Sequence, residues 1–204
     1  MKAAQILDKI SNRKPAMMGY DAFKKSAILL PLLDIDGETH ILFEVRSMSL
    51  RSQPGDICLP GGRMDQTDES AQYCAIRETT EELGISWLDI ENLQPLDYIV
   101  SDFGRVIYPF AGVIKHPERI APNPSEVGET FTVPLQFFLN NEPLKHLVKL
   151  QALPEEDFPY DLIVGGKDYN WQVRHIEELF YQYEDRTIWG LTAKILHHFV
   201  TLVK

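Results

Sequence analysis

LFEVRSMSLRSQPGDICLPGGRMDQTDESAQYCAIRETTEELGI, residues 42–85, runs a loop, a Gly61-Gly62 turn and a helix in immediate succession. Asp68 is read as the N-cap of a helix that continues to about Leu83, and Gly84 stands where a left-handed C-cap belongs. Ala71, Ala75, Ile76, Thr79 and Leu83 supply its buried stripe. Glu78, Glu81 and Glu82 have i, i+3, i+4 spacing and share a face. Each pair of such carboxylates repels by about 4 kcal/mol at 4 Å and an effective dielectric near 20. Arg77 is adjacent, but its side chain is expected to leave the helix about 100° away from Glu78. A run of acids is ordinarily a solvated face. Here the cluster lies in the C-terminal half of the helix, where the macrodipole opposes negative charge. No lysine follows at i+4, and Pro60-Gly61-Gly62 upstream offers backbone groups. A divalent cation is the more economical offset, and an all-oxygen donor set favours Mg²⁺ or Mn²⁺ over zinc.

Outward from this cassette, Ser26–Leu33 reads as a strand, turned at Asp34–Gly37 onto an antiparallel partner over residues 39–46. Pro31 assigns the first strand to an edge or a bulge. Leu96–Val100 and Val106–Lys115 read as a second hairpin with its turn at Ser101–Gly104. A Pro-rich loop over 116–128 leads to a short strand, Thr130–Val133, stopped by Pro134, and a helical turn over Leu135–Leu139. Residues 3–10 and 187–203 read as amphipathic helices, the latter strong. Residues 1–25 thus form an N-terminal helix and connector, and 140–180 an insertion without assigned structure. The whole, 1–204, is expected to be a single α/β domain, a mixed sheet sandwiched by helices.

The apolar content of 44% suits a packed core, and the formal net charge of −10 disfavours nucleic acid. It does not exclude a phosphorylated small molecule, because a bridging cation reverses the local field. Cys58 and Cys74 are too few for a disulfide scaffold, and their spacing argues against zinc. The N-terminus lacks signal-peptide features and no apolar run is long enough to span a membrane, so cytoplasmic is the default expectation.

The cassette resembles the signature of the Nudix hydrolases, matched here by Gly62, Glu69, Arg77, Glu78, Glu81, Glu82, Gly84 and Ile85. The spacer between Gly62 and Glu69 is six residues where five are usual, and Thr79 replaces an aliphatic. The resemblance implies a Nudix-type α/β/α sandwich and Mg²⁺- or Mn²⁺-dependent hydrolysis of a nucleoside-linked diphosphate. It implies Glu78 and Glu82 as principal metal ligands and Glu81 in or beside the ligand set. Arg77 would orient a carboxylate, and the carbonyl of Gly61 or Gly62 would complete the coordination. The base in this family often comes from a later loop; Glu126 and Glu129 are the candidates, with Glu129 preferred because it directly precedes a strand.

Arg46-Ser47, Arg51, Gly55 and Leu59–Gly62 resemble the further signature of the coenzyme A pyrophosphatase branch, as does Ile188–Ala193. Coenzyme A carries a 3′-phosphate besides its diphosphate, and two fixed cations, Arg46 and Arg51, suit such groups. Arg46, Ser47, Arg51 and Gly61 are therefore the substrate-binding set. The expected reaction converts coenzyme A or acyl-CoA to 3′,5′-ADP and 4′-phosphopantetheine or its acylated form. The alternatives are another Nudix substrate (ADP-ribose, NADH or a dinucleoside polyphosphate) and a non-catalytic sensor on the same fold. Residues 140–180 stand as candidates for covering the pocket or forming a homodimer interface.

Overall fold

A computed structural model describes residues 2–101 and 104–204. A short exposed helix, α1 (Ala3–Asp8), precedes β1 (Lys24–Ile35), β2 (Glu38–Arg46), β3 (Ile57–Cys58) and β4 (Gly61–Arg63). Helix α2 (Ala71–Leu83) is followed by β5 (Ile90–Pro95), β6 (Ile99–Ser101), β7 (Arg105–Ile114) and β8 (Val127–Pro134). Helix α3 (Leu135–Asn140), β9 (Leu144–Leu150), β10 (Arg174–Tyr183), β11 (Arg186–Trp189) and α4 (Gly190–Val203) complete the chain. The turn expected at Ser101–Gly104 includes Asp102 and Phe103, which lie outside the described residues. Among the described residues, no helix is long and apolar enough to cross a membrane.

Eight strands form one mixed sheet in the order β3-β2-β1-β7-β5, with β4 on β1, β6 on β7 and β8 on β2. Strands β1 and β7 run parallel; the other pairs are antiparallel. The β1–β2 hairpin closes on Asp36-Gly37, both at positive φ, so its twist matches the flanking strands.

The side chains of β1 alternate between two cores. Ala27, Leu29 and Leu33 pack with Cys74, Ala75 and Leu83 of α2. Leu30, with Ile28 and Leu32 against it, packs with Phe138 of α3 and Leu196, Phe199 and Val200 of α4. The main sheet is thus covered on both faces, as an α/β/α sandwich requires, which is why its strands read as nearly continuous apolar runs.

Three expectations are corrected. Strand β1 is central rather than at an edge. Leu29 donates its N–H to Pro60 O at 2.9 Å, away from β7, so residues of that parity aim their backbone groups at the β4/β2 side. Pro31 has the same parity and falls between the β4 ladder at residues 26–28 and the β2 ladder at 32–35, where no donor is needed. Strand β5 went unread, although β5 and β6 both flank β7. Residues 140–189 hold a second, three-stranded antiparallel sheet, β11-β10-β9. Residues 187–189 belong to β11, and α4 begins only at Gly190, whose φ of 62° makes the corner.

Candidate active site

The Gly61-Gly62 turn and α2 meet against β1. Gly61 sits at φ +146°, and a Cβ on it would overlap the Ala27 carbonyl; a Cβ on Gly62 would overlap the carboxylate of Glu78. Gly61 is therefore dictated by close approach to backbone, whereas a side chain at Gly62 would displace the Glu78 carboxylate. Gly61 donates its N–H to Glu82 Oε2 at 2.8 Å. Glu82 is only 7% exposed. Burial pushes its pKa up to about 8, helped by the negative charges of Glu78 and Glu126 and opposed by the Gly61 hydrogen bond and Arg46. Glu78 is raised too, chiefly by burial, with Arg77 opposing. Helix α2 ends at Gly84, φ 64°, where a Cβ would overlap the Ala121 carbonyl. Ala121 and Asn123 in turn donate to the last-turn carbonyls of Leu83 and Glu82 at 2.9 and 2.8 Å. This docks the 117–126 loop on the helix end and carries Glu126 to the carboxylates.

Arg77 differs from expectation. Its Cβ leaves the helix away from Glu78, but the long side chain bends back. The guanidinium contacts Asp68 Oδ1 at 2.9 Å, Glu78 Oε1 at 2.8 Å and Glu81 Oε2 at 3.2 Å. One cation thus offsets part of the repulsion assigned above to a metal. Asp68 is not the N-cap. Ser70 is, accepting from the Tyr73 N–H at 3.1 Å. The Asp68 side chain is fully buried beneath Arg77, whose hydrogen bonds hold its pKa down at about 2.

The two base candidates separate by geometry. Glu129 is in register with Val45, and Phe131 with Phe43, so Glu129 shares the face of Phe43, which packs with α3 and α4. It is 53% exposed and bonded to Arg186 at 2.6 Å. It therefore lies across the sheet from α2. Glu126 is on the α2 side, where its charge acts on Glu44, Glu78 and Glu82. Glu81 is 56% exposed and turned to Arg77.

The loop residues also divide. Arg46 is half-buried, acts electrostatically on Glu44 and Glu82, and donates through Nε and Nη2 to Ser52 O at 3.3 Å. Arg51 is exposed on the same loop. Ser47 is buried, its Oγ donating to Pro124 O at 3.1 Å and its N–H to Glu126 O at 2.8 Å. Its visible work is to fix the loop that carries Glu126.

One acid was missed. Glu44, on β2, is 1% exposed, and its Oε1 has no hydrogen-bond partner among the described residues. Its pKa is raised well above the usual carboxylate range by burial and by Glu82, against the pull of Arg46. Leaving such an atom unpaired costs about 1–3 kcal/mol. The available signal was an acid inside the apolar run Ile41–Val45.

The NUDIX domain family matches residues 23–152. The chain belongs to that family. An uncharacterised Nudix hydrolase, NudL, of Photorhabdus laumondii is 31% identical over 184 residues, spanning 90% of this chain and 87% of that protein. The peroxisomal coenzyme A diphosphatase NUDT7 of Mus musculus is 37% identical over 116 residues, 57% of this chain and 49% of that protein. The mitochondrial coenzyme A diphosphatase NUDT8 of Homo sapiens is 35% identical over 121 residues, 57% of this chain and 51% of that protein. The match thus spans about half the length of each of these two diphosphatases.

Within the Nudix frame, five residues separate Gly62 from Asp68, the usual spacer. Asp68, which holds Arg77, fills the acidic position, whereas Glu69 is exposed. The extra residue then falls between Asp68 and Arg77, and the Gly62-to-Arg77 interval stays one longer than the general pattern. Nudix hydrolases use divalent metal ions, and the donor set here is hard oxygen throughout. Cys58 and Cys74 are pushed up to about 12, chiefly by burial, and stay protonated at neutral pH. As placed, no three or more His, Cys, Asp or Glu side chains among the described residues are grouped so as to hold a metal ion. Glu78 is drawn towards Arg77, while Glu44, with Oε1 orphaned, and the buried Glu82 share the single charge of Arg46. A divalent ion suits that deficit.

Proposed function

We propose that the protein hydrolyses the diphosphate of coenzyme A or an acyl-CoA, using Mg²⁺ or Mn²⁺, to 3′,5′-ADP and 4′-phosphopantetheine or its acylated form. The observation that carries this reading is the buried carboxylate set at the Gly61-Gly62 turn, with more negative charge than its local cations offset. Glu78 and Glu82 would hold the cation, with the Gly62 carbonyl beside them. When bound, it neutralises diphosphate oxygens and lowers the pKa of water.

The protein's own groups supply the rest. Glu126 takes the proton from the attacking water, in preference to Glu129; its place on the α2 side supports this choice, Glu129 being in register with Val45 on the opposite face. Ser47 fixes the Glu126 backbone. Arg77, anchored on the buried Asp68, steers Glu78; Glu81 steadies Arg77 from the solvent side. Arg46 and Arg51 lie on the loop beside the cluster and suit the phosphates, Arg51 being exposed for the 3′-phosphate. Coenzyme A as the substrate is favoured by this loop and by the coenzyme A diphosphatases among the relatives.

The test is product analysis with coenzyme A and Mg²⁺, beside dephospho-CoA and ADP-ribose. Release of 3′,5′-ADP, fastest from coenzyme A, is expected. No 3′,5′-ADP refutes the proposal; faster turnover of dephospho-CoA and ADP-ribose removes the 3′-phosphate role of the arginines.

A further inference from the structure

Glu44 is unexplained by the loop–helix cassette, because it comes from β2. Its neighbours fix where it points. It is in register with Cys58 of β3 and Thr130 of β8, and it has the same parity as Leu42, which packs in the core beneath α2. It therefore faces α2, on the side of Glu82. The charged groups that act on it most are Glu82 of α2, Arg46 of β2 and Glu126 of the 117–126 loop. Two of the three are negative. Its Oε2 is approached only by the Cys58 thiol at 4.0 Å, a weak donor, and its Oε1 by no donor among the described residues. A carboxylate this deep, among other carboxylates, has two states open to it: a neutral acid, or an anion on a cation. The geometry favours the second, because Oε1 is buried and meets no donor among the described residues while facing the Glu82 side of the sheet.

We propose that Glu44 is a ligand of the divalent cation, bound through Oε1 beside Glu82. The metal site then reaches from α2 onto the central sheet, and its inner wall is a residue outside the family cassette. Arg46, two residues on, offsets negative charge at the mouth of the same site. The cation selected is hard, Mg²⁺ or Mn²⁺, because the proposed ligands are carboxylate and carbonyl oxygens. This inference rests on the metal-site reading above, but not on the identity of the substrate.

The experiment is Mn²⁺ binding to metal-stripped protein, read from the electron paramagnetic resonance of free Mn²⁺ and from the Mn²⁺-induced rise in Tm. Wild type, Glu44→Gln and Glu44→Asp are compared, each checked by circular dichroism. Glu44→Gln keeps the shape and removes the ligand charge. We expect its Mn²⁺ affinity to fall about tenfold or more, with most of the Tm rise lost. Glu44→Asp keeps the charge one methylene shorter and should fall between Gln and wild type, which keeps the test open if the Gln variant folds poorly. Affinities of both variants within twofold of wild type overturn the proposal and make Glu44 a neutral buried acid. Wild type that binds no Mn²⁺ overturns the metal site as a whole. Glu44-dependent Mn²⁺ binding without turnover of coenzyme A supports this inference while refuting the substrate.

Discussion

At the scale of single residues, the site is governed by which carboxylates are neutralised and by what. Asp68 has Arg77 directly upon it and stays ionised; Glu82 has one backbone N–H and two negative neighbours. The metal-free protein should register that difference in its pH profile. Glu82 holds its proton up to about pH 8 when folded, against 4.5 for an ordinary glutamate. Its contribution is therefore full below about pH 4.5 and is lost as pH rises towards 8, on the order of a few kcal/mol. Asp68 works in the opposite sense, but only from its usual value of 3.8 down to about 2. Between pH 5.5 and 8 the Tm of metal-free protein should fall, and Glu82→Gln should flatten the slope. A rise in Tm over that range in the wild type would contradict the burial argument. The base assignment gives a second outcome. Glu126→Gln should lower kcat by about 10²–10⁴-fold, whereas Glu129→Gln should leave it within about threefold. The sequence could separate neither pair. Asp68 and Glu69 are adjacent and Glu126 and Glu129 three residues apart, and only the strand register and the reach of Arg77 tell the members apart.

At the scale of elements, the loop–helix cassette was readable because its punctuation is chemical. Two glycines, a C-cap glycine and an i, i+3, i+4 acid triplet each have one good structural solution. The three-stranded sheet β9–β11 was not readable. Leu144–Leu150 alternates poorly and exposes both faces, and Thr187–Trp189 continues the apolar periodicity of α4. Leu144–Leu150 becomes a strand only by pairing across about thirty residues, and Thr187–Trp189 by the hairpin it forms with β10 at Tyr183 and Arg186. The joint between α2 and the 117–126 loop is the element on which catalysis should depend. Gly84→Ala must place a Cβ at φ 64° against the Ala121 carbonyl. We expect a loss of about 1–3 kcal/mol in chemical denaturation. Turnover should drop by more than stability explains, because the same loop carries Glu126. Unchanged kcat at a temperature where the variant is fully folded would detach the loop from the mechanism.

At the scale of the molecule, the family match ends at residue 152, yet the fold does not. Leu179 and Tyr181 of β10, Ile188 of β11 and Phe199 of α4 share one core with Leu30, Ile41, Phe43 and Val133 of the main sheet. The Tyr181 ring meets Phe138 edge-on at 5.2 Å, and its hydroxyl is bonded to His197 Nδ1 at 3.1 Å. Arg186 ties β11 to Glu129 of β8 and lies over the Phe131 ring. Such interlocking predicts one cooperative unit rather than a Nudix body with a detachable tail. In guanidinium, far-ultraviolet circular dichroism should follow a single transition. Trp189, stacked on Phe180 in the small sheet, reports that region once Trp87 and Trp171 are changed to Phe. Its fluorescence should move at the same midpoint. Tyr181→Ala should shift both probes together, by about 3–5 kcal/mol, the usual cost of deleting a large buried ring. Midpoints that separate, with Trp189 melting first, would mean that residues 144–203 fold as their own unit, and the single-domain reading would fall with them.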